Sequence, residues 1–388
     1  MDRYTDGRRD ATRILEGLAA HEAPLLEELK ITLDQDFSWD DYHPTTLPNL
    51  FKGRPPPRLH HVYLDECLLR FPHAISSPSL TKLTLNNSCL WSTVDEMIEF
   101  FKLVPQLESF RFVYPSDHNH GFSTQPSRIH PLRCVSLPNL DDFNVEASLD
   151  AGLAMFSYMA FPQEAHLALT PSDCESSSLD RYTEDELGIL LARASSAVRA
   201  HFAERIEEDV SFKSVTLHIS HISAARLHLG IPCGLRGAPQ VRAAAASAYT
   251  TIPIIADARY LAIDGEMSVF NMRDLACFKH VEHLHVEGIA SVLLDSALHD
   301  DDPFMDGMFP ECTGITIGGF DFVKWPGTRR DGCLVPEGFA QHFADVLHRW
   351  CRRAGFEVGV KFRRCFLSPD QVALFREKFG PRCIIRVR

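Results

Sequence analysis

His283 and His285 stand two residues apart and Glu287 two further on, so in an extended strand all three side chains share one face and could together offer a metal three donors. The spacing fixes no fourth ligand, and His-x-His pairs are ordinary on polar surfaces, so the expectation is no metal centre. His218 and His221 are three apart, on opposite faces if one strand carries both. A serine nucleophile would sit in G-x-S-x-G, and phosphate transfer would use G-x-x-x-x-G-K-(S/T); the sequence holds neither. Gly314, Gly318 and Gly319 in GITIGGF suit a bend or close packing better than a cofactor. The carboxylates Asp40 with Asp41, and Asp141 with Asp142, are adjacent and so diverge. These residues predict no catalytic group and no cofactor. The alternative is an enzyme on a mixed α/β fold whose site is assembled from distant residues.

The elements that carry these residues follow a repeat. The pattern apolar-x-x-apolar-x-apolar recurs as LEELKI (26–31), LHHVYL (59–64), LTKLTL (80–85), LESFRF (107–112), LDDFNV (140–145), FKSVTL (212–217), ARYLAI (258–263) and VEHLHV (281–286). Weaker copies are EAHLAL (164–169), CTGITI (312–317) and GFEVGV (355–360). The last two apolar positions lie two apart, so a short strand turns both to one side while the first anchors the preceding turn. Helices are expected between the strands. Thr93 with Glu96, and Thr183 with Glu186, have capping-box spacing ahead of helical apolar periodicity over 93–104 and from 183 to about Glu208, and a third helix is expected over 337–354.

No such unit can bury its stripe alone, so stacking must supply the core. The predicted fold is α/β: a single repeat domain over 1–388, built as a solenoid with a parallel strand ladder on the concave face and helices on the convex face. Repeats occupy about 20–365 and a C-terminal cap about 366–388. The segments 170–182 and 230–251 lack the pattern and read as insertions, either binding loops or flexible ones. A doubly wound sheet would ask for longer apolar strands and a G-x-G-x-x-G turn, which is missing.

Composition narrows the partners. The 388 residues are 45% apolar, enough for a large core, and carry a formal charge of −13, which opposes nucleic acid and anionic membrane over most of the surface. The exception is 349–388, with eleven basic residues against three acidic; it reads as a solvated end or as a patch for an acidic partner. The N-terminus is charged where a secretory signal would be apolar, and the eleven cysteines are odd in number and never form C-x-x-C. An intracellular location, cytoplasmic or nuclear, with reduced and mostly buried thiols is the expectation, with no membrane span.

The repeat resembles that of leucine-rich repeat proteins, whose core is L-x-x-L-x-L, with Asn86 and Asn87 or Cys67 following the strand as that family's asparagine or cysteine does. The stretch LPNLFKGRPPPRLHHVYLDECLLRFPHAISSPSLTKLTLNN (47–87) is similar to the repeat region of fungal F-box proteins. That resemblance implies an irregular horseshoe and the substrate-holding part of a cullin-type ubiquitin ligase. No copy of the F-box core L-P-x-E-(I/L)-L precedes the first repeat, so a Skp-type adaptor is implied only if a longer product carries that module. A repeat scaffold unrelated to ubiquitin is the other reading.

If positions four and six of each copy point inward, positions three, five and seven point outward and form rows. This nominates His61, Tyr63, Asp65, Lys82, Asn86, Arg111, Asp142, Asn144, Glu146, His283, His285 and Glu287 as the contacts for a protein partner. Mixed charge, amides and aromatic groups suit a folded protein or peptide.

Overall fold

The computed structural model describes residues 13–33, 45–114, 122–172, 182–218, 220–231, 239–264, 275–288, 308–323, 338–353 and 358–387. It is a mixed α/β structure in which most strand pairs are parallel. Two compact units, Met1–Tyr182 and Thr183–Arg388, divide the chain that the sequence pattern treats as one domain.

In the first unit the strands β1 (Glu28–Thr32), β2 (Thr45–Thr46), β3 (His61–Asp65), β4 (Cys67–Leu68), β5 (Lys82–Asn86), β6 (Ser109–Val113), β7 (Val135–Ser136), β8 (Asp142–Ala147), β9 (Met159–Ala160) and β10 (His166–Pro171) follow in order. Six of them form one parallel sheet, β1-β3-β5-β6-β8-β10, while β2 pairs with β4 and β7 with β9. Each of the six begins at position three of a hexapeptide copy; β1, β3, β5 and β6 end at position seven, and β8 and β10 run one residue further. Val62 and Leu64, Leu83 and Leu85, Phe110 and Phe112, Phe143 and Val145 are all buried, as positions four and six require. β10 departs from the alternation, because Ala168 is buried beside Leu167 while Leu169 is half-buried.

The first apolar position has a second task that the pattern hints at. The backbone N–H of Leu59, Leu80, Leu107 and Leu140 each donates to the carbonyl three residues back, at 3.0 to 3.2 Å, closing a tight turn under a buried leucine. The next N–H then donates to the residue just ahead of the neighbouring strand, as His60 does to Glu27 (2.9 Å), Thr81 to His60 (2.9 Å) and Glu108 to Thr81 (2.8 Å). Turn closure and ladder are thus continuous, and the buried backbone groups are satisfied. Directly after the strand comes a residue in the left-handed region: Glu66 (φ 59°), Asn87 (φ 45°), Gly288 (φ 64°) and Gly319 (φ 63°), and Arg364 (φ 57°) holds the same repeat position inside β17, where the pairing with β18 shifts register. This corner recurs at one repeat position although its residue type varies, so composition does not reveal it.

Helix Val94–Leu103 is capped by Thr93, whose hydroxyl accepts from Glu96 N, and Glu96 reaches back to Ser92 N rather than to Thr93. Its Phe100 and Phe101 pack on the strand residues through Trp91 and Phe110, with Phe101 and Phe110 ring centroids 5.0 Å apart. Leu149–Tyr158 brings Phe156 against Phe143 in the same way.

The second unit contains β11 (Ser214–His218), β12 (His221–Ala224), β13 (Leu227–Gly230), β14 (Tyr260–Asp264), β15 (His283–Glu287), β16 (Gly314–Gly318), β17 (Gly359–Cys365) and β18 (Cys383–Val387). The order is β13-β12-β11-β14-β15-β16-β17-β18, antiparallel among the first three and parallel from β11 onward. Helix Glu184–His201 has the Thr183–Glu186 capping box, but it ends at Phe202 and a separate turn of helix, Ala203–Glu207, follows, where one helix to Glu208 is expected. Phe339–Arg353 is helical, within the expected 337–354.

Two expectations are corrected here. The last repeat copy is GFEVGV over 355–360 in the sequence pattern, but Gly314 pairs with Gly359 and Ile317 with Phe362, so the working copy starts two residues later, at 357. The region expected as a C-terminal cap, 366–388, contains a helix, Pro369–Phe379, and the strand β18. Within 230–251, Pro239–Thr250 is helical, because alanines at 243–246 favour helix where no strand pattern exists. Of the 170–182 segment, residues 173–181 lie outside the described residues, as do Asp40 and Asp41.

The eight cysteines among the described residues are free thiols, and Cys67, Cys89, Cys312, Cys351 and Cys365 are buried. No helix among the described residues is long and apolar enough to cross a membrane.

Two substitutions test this construction. Phe110→Ala removes a fully buried ring and is expected to lower unfolding free energy by about 3–5 kcal/mol. Gly319→Ala, at the left-handed corner, should cost about 1–2 kcal/mol. Urea unfolding midpoints read both; an unchanged midpoint for Gly319→Ala would mean that the corner is not left-handed.

Candidate functional site: the outward strand faces

The sheet of the first unit aligns the outward positions in register. One row is Glu28, His61, Lys82, Ser109, Asp142 and His166; the next is Lys30, Tyr63, Thr84, Arg111 and Asn144; the third is Thr32, Asp65, Asn86, Val113 and Glu146. All nine residues nominated in this unit, His61, Tyr63, Asp65, Lys82, Asn86, Arg111, Asp142, Asn144 and Glu146, lie in these rows and none is buried. Lys82, Arg111 and Glu146 are exposed, and the others are half-buried.

Tyr63 is the hub of one cluster. The Lys30 ammonium lies over its ring, 5.0 Å from the centroid, and its hydroxyl donates to Asp65 Oδ2 at 3.4 Å while accepting from Asn86 Nδ2 at 2.9 Å. A cation, a phenol, a carboxylate and an amide are therefore held together on three adjacent strands. Such cross-strand contacts fix rotamers in advance, which lowers the entropy lost on binding. A second cluster centres on Asp142, which accepts from Ser109 Oγ at 3.3 Å and lies 2.9 Å from His166 Nδ1. Sequence reasoning did not nominate His166; its hexapeptide EAHLAL places it at position three, so the row rule reaches it.

In the second unit, His283, His285 and Glu287 do alternate with buried Leu284 and Val286. They do not converge. The His283 ring lies over Gly314, where a Cβ would stand 2.7 Å from its Nδ1, and the His285 ring covers Gly318 in the same manner at 3.2 Å. His285 Nε2 and Glu287 Oε2 are 3.2 Å apart, so that imidazole is already engaged on its own strand. The glycines thus serve as bare floor for two imidazoles. Among the described residues, no three His, Cys, Asp or Glu side chains are arranged to hold a metal ion.

The histidines at 218 and 221 need a correction, because no single strand carries both. β11 ends at His218 and the chain returns as β12, so His218 and His221 pair directly across the turn. Their ring centroids are 4.8 Å apart, and His228 of β13 stacks on His221 at 4.4 Å. Ser220 Oγ lies 2.8 Å from His218 Nδ1 and 3.0 Å from His221 Nδ1. Burial, then the neighbouring His228 and His218, push His221 down to about 4, against a smaller opposite pull from Asp264. The turn after β12, with Ala225 at φ 37°, has no glycine, asparagine or proline, so neither antiparallel strand was legible.

No known family model matches the chain, and no curated protein is similar to it.

Two outcomes are expected. Gly314→Ala should displace the His283 ring and shift its imidazole NMR signals; unchanged signals would remove it from Gly314. Stability should also depend on His221. Its folded pKa, about 4, lies below the unfolded value near 6.5, so the unfolded chain takes up the proton first and stability falls as pH drops from 6.5 towards 4. His73 of the first unit, buried beside Phe100 and pushed to about 4 mainly by burial, adds a loss on the order of 3 kcal/mol in the same window. Denaturant titrations at pH 7 and pH 4.5 should show each histidine-to-glutamine variant less acid-sensitive than the parent; equal sensitivity would contradict the assignment.

Proposed function

We propose that this chain is a non-catalytic protein–protein interaction module, a leucine-rich-repeat-like horseshoe that reads its partner with the outward strand face. The observation that supports this most is the in-register alignment of Lys30, Tyr63, Thr84, Arg111 and Asn144 across neighbouring parallel strands. Side chains repeated at strand spacing make a broad, preordered surface, and tyrosine and arginine are the residue types that most often dominate binding energy. The partner is a folded protein or an extended peptide of mixed polarity, since the rows alternate cation, carboxylate, amide and phenol. Within this reading the chain resembles the substrate-recognition repeats of a cullin-type F-box subunit, and a Skp-type adaptor joins it only through an F-box in a longer product.

Tyr63→Ala and Arg111→Ala test the face. With the unfolding midpoint kept within about 1 kcal/mol of the parent, each should reduce recovery of co-purifying partners about tenfold in quantitative affinity capture. Undiminished recovery by the folded double variant would refute the proposed face. Capture with a longer product separates the ligase reading, which requires the Skp-type adaptor among the recovered proteins, from a scaffold reading, which does not.

A further inference from the structure

The basic stretch 349–388 contains a strand with an open side. β18 pairs in parallel with β17, and among the described residues no strand lies beyond it. The register sets Ile384 beside Lys361 and Arg386 beside Arg363, on the side of the sheet away from buried Phe362. Paired residues of neighbouring strands stand about 5 Å apart, so the two arginine side chains start from one spot. Like charges directly opposite each other on a sheet are destabilising.

Nothing in the described residues relieves that repulsion. Arg363 and Arg386 are both exposed, and neither they nor Lys361 makes an ion pair or a side-chain hydrogen bond among the described residues. Glu287 reaches from β15 over Gly319, just past β16, but its carboxylate is engaged by His285 at 3.2 Å and forms no ion pair with Arg363. Beside the arginines, Ile384 is 51% exposed. An open backbone edge, a large apolar side chain and an unbalanced pair of cations therefore lie together on one strand, and an open edge is a template for a further strand.

We propose that β18 accepts one more strand, an extended acidic peptide of a protein partner, which continues the ladder with an apolar residue beside Ile384 and a carboxylate beside Arg386. In strand addition the backbone hydrogen bonds supply affinity, and alternate side chains supply selectivity. Charge decides the occupant. A second copy of the chain paired through the same strand would bring two more arginines to the seam, whereas a carboxylate beside Arg386 offsets the repulsion from Arg363. This site belongs to the second unit and does not rest on the proposed face of the first.

The probe is acetyl-Thr-Val-Thr-Glu-Thr-Glu-Thr amide, labelled for fluorescence anisotropy and titrated into the full chain. It should bind saturably, about tenfold or more tighter than the same peptide with lysine in place of glutamate, and more weakly as salt is raised. N-methylation of one alternate set of its residues should abolish binding and of the other set leave it intact, because only one edge of the added strand meets β18. Arg386→Glu should weaken binding about tenfold in a protein that stays folded, since the new carboxylate stands opposite Arg363. The β18 amides that face away from β17 should gain protection from hydrogen exchange when the peptide is bound. Equal binding of the acidic and basic peptides, equal binding of the two N-methylated forms, or undiminished binding by folded Arg386→Glu would overturn the proposal. Protection of those β18 amides before any peptide is added would also overturn it, because the edge would then be covered already.

Discussion

Everything in this fold depends on a strand too short to bury itself. Five residues offer two inward side chains, such as Val62 and Leu64 or Leu83 and Leu85, each worth about 1.5–3 kcal/mol when fully buried. That is less than the cost of ordering the strand and its turns, roughly 1–2 kcal/mol per residue for the backbone alone. Only a neighbour in register, bonded along the edge and covered by aromatic residues from a helix, makes the unit stable. Parallel register is thus the condition of folding, and the alignment of outward residues is its by-product.

The same condition explains why the polar face is ordered. Outward positions five and seven of neighbouring strands are brought side by side whatever residues occupy them, so Tyr63 meets Lys30 on one side and Asn86 on the other. In the second unit glycines at positions three and seven of β16 remove that side-by-side contact, and His283 and His285 lie down on the vacant backbone. One geometry therefore gives two kinds of surface, set by whether the neighbouring strand carries a side chain or a hydrogen.

Much of this was legible in the sequence, for a physical reason. An apolar pair two residues apart behind an apolar anchor is a strand signal with a built-in direction, and it located β1, β3, β5, β6, β8, β10, β11, β14, β15 and β16, though not the two-residue strands β2, β4, β7 and β9. It failed where the physics is of another kind. β12 and β13 return antiparallel through a turn without turn residues, and β18 lies beyond the last recognised copy, where CIIRV lacks the leading anchor. The left-handed corner escaped notice because Glu66, Asn87, Gly288, Gly319 and Arg364 share a backbone conformation and not a side chain. The outward contacts follow once register is known.

Hydrogen exchange of individual backbone amides is the most direct measure of the ladder. Val62, Leu64, Leu83, Leu85, Phe110, Phe112, Phe143 and Val145 all belong to in-register parallel strands. Their amides should exchange slowly, with protection extending without a break from β3 to β8. Rapid exchange throughout any one of these strands, with its neighbours still protected, would contradict the register on which the account stands.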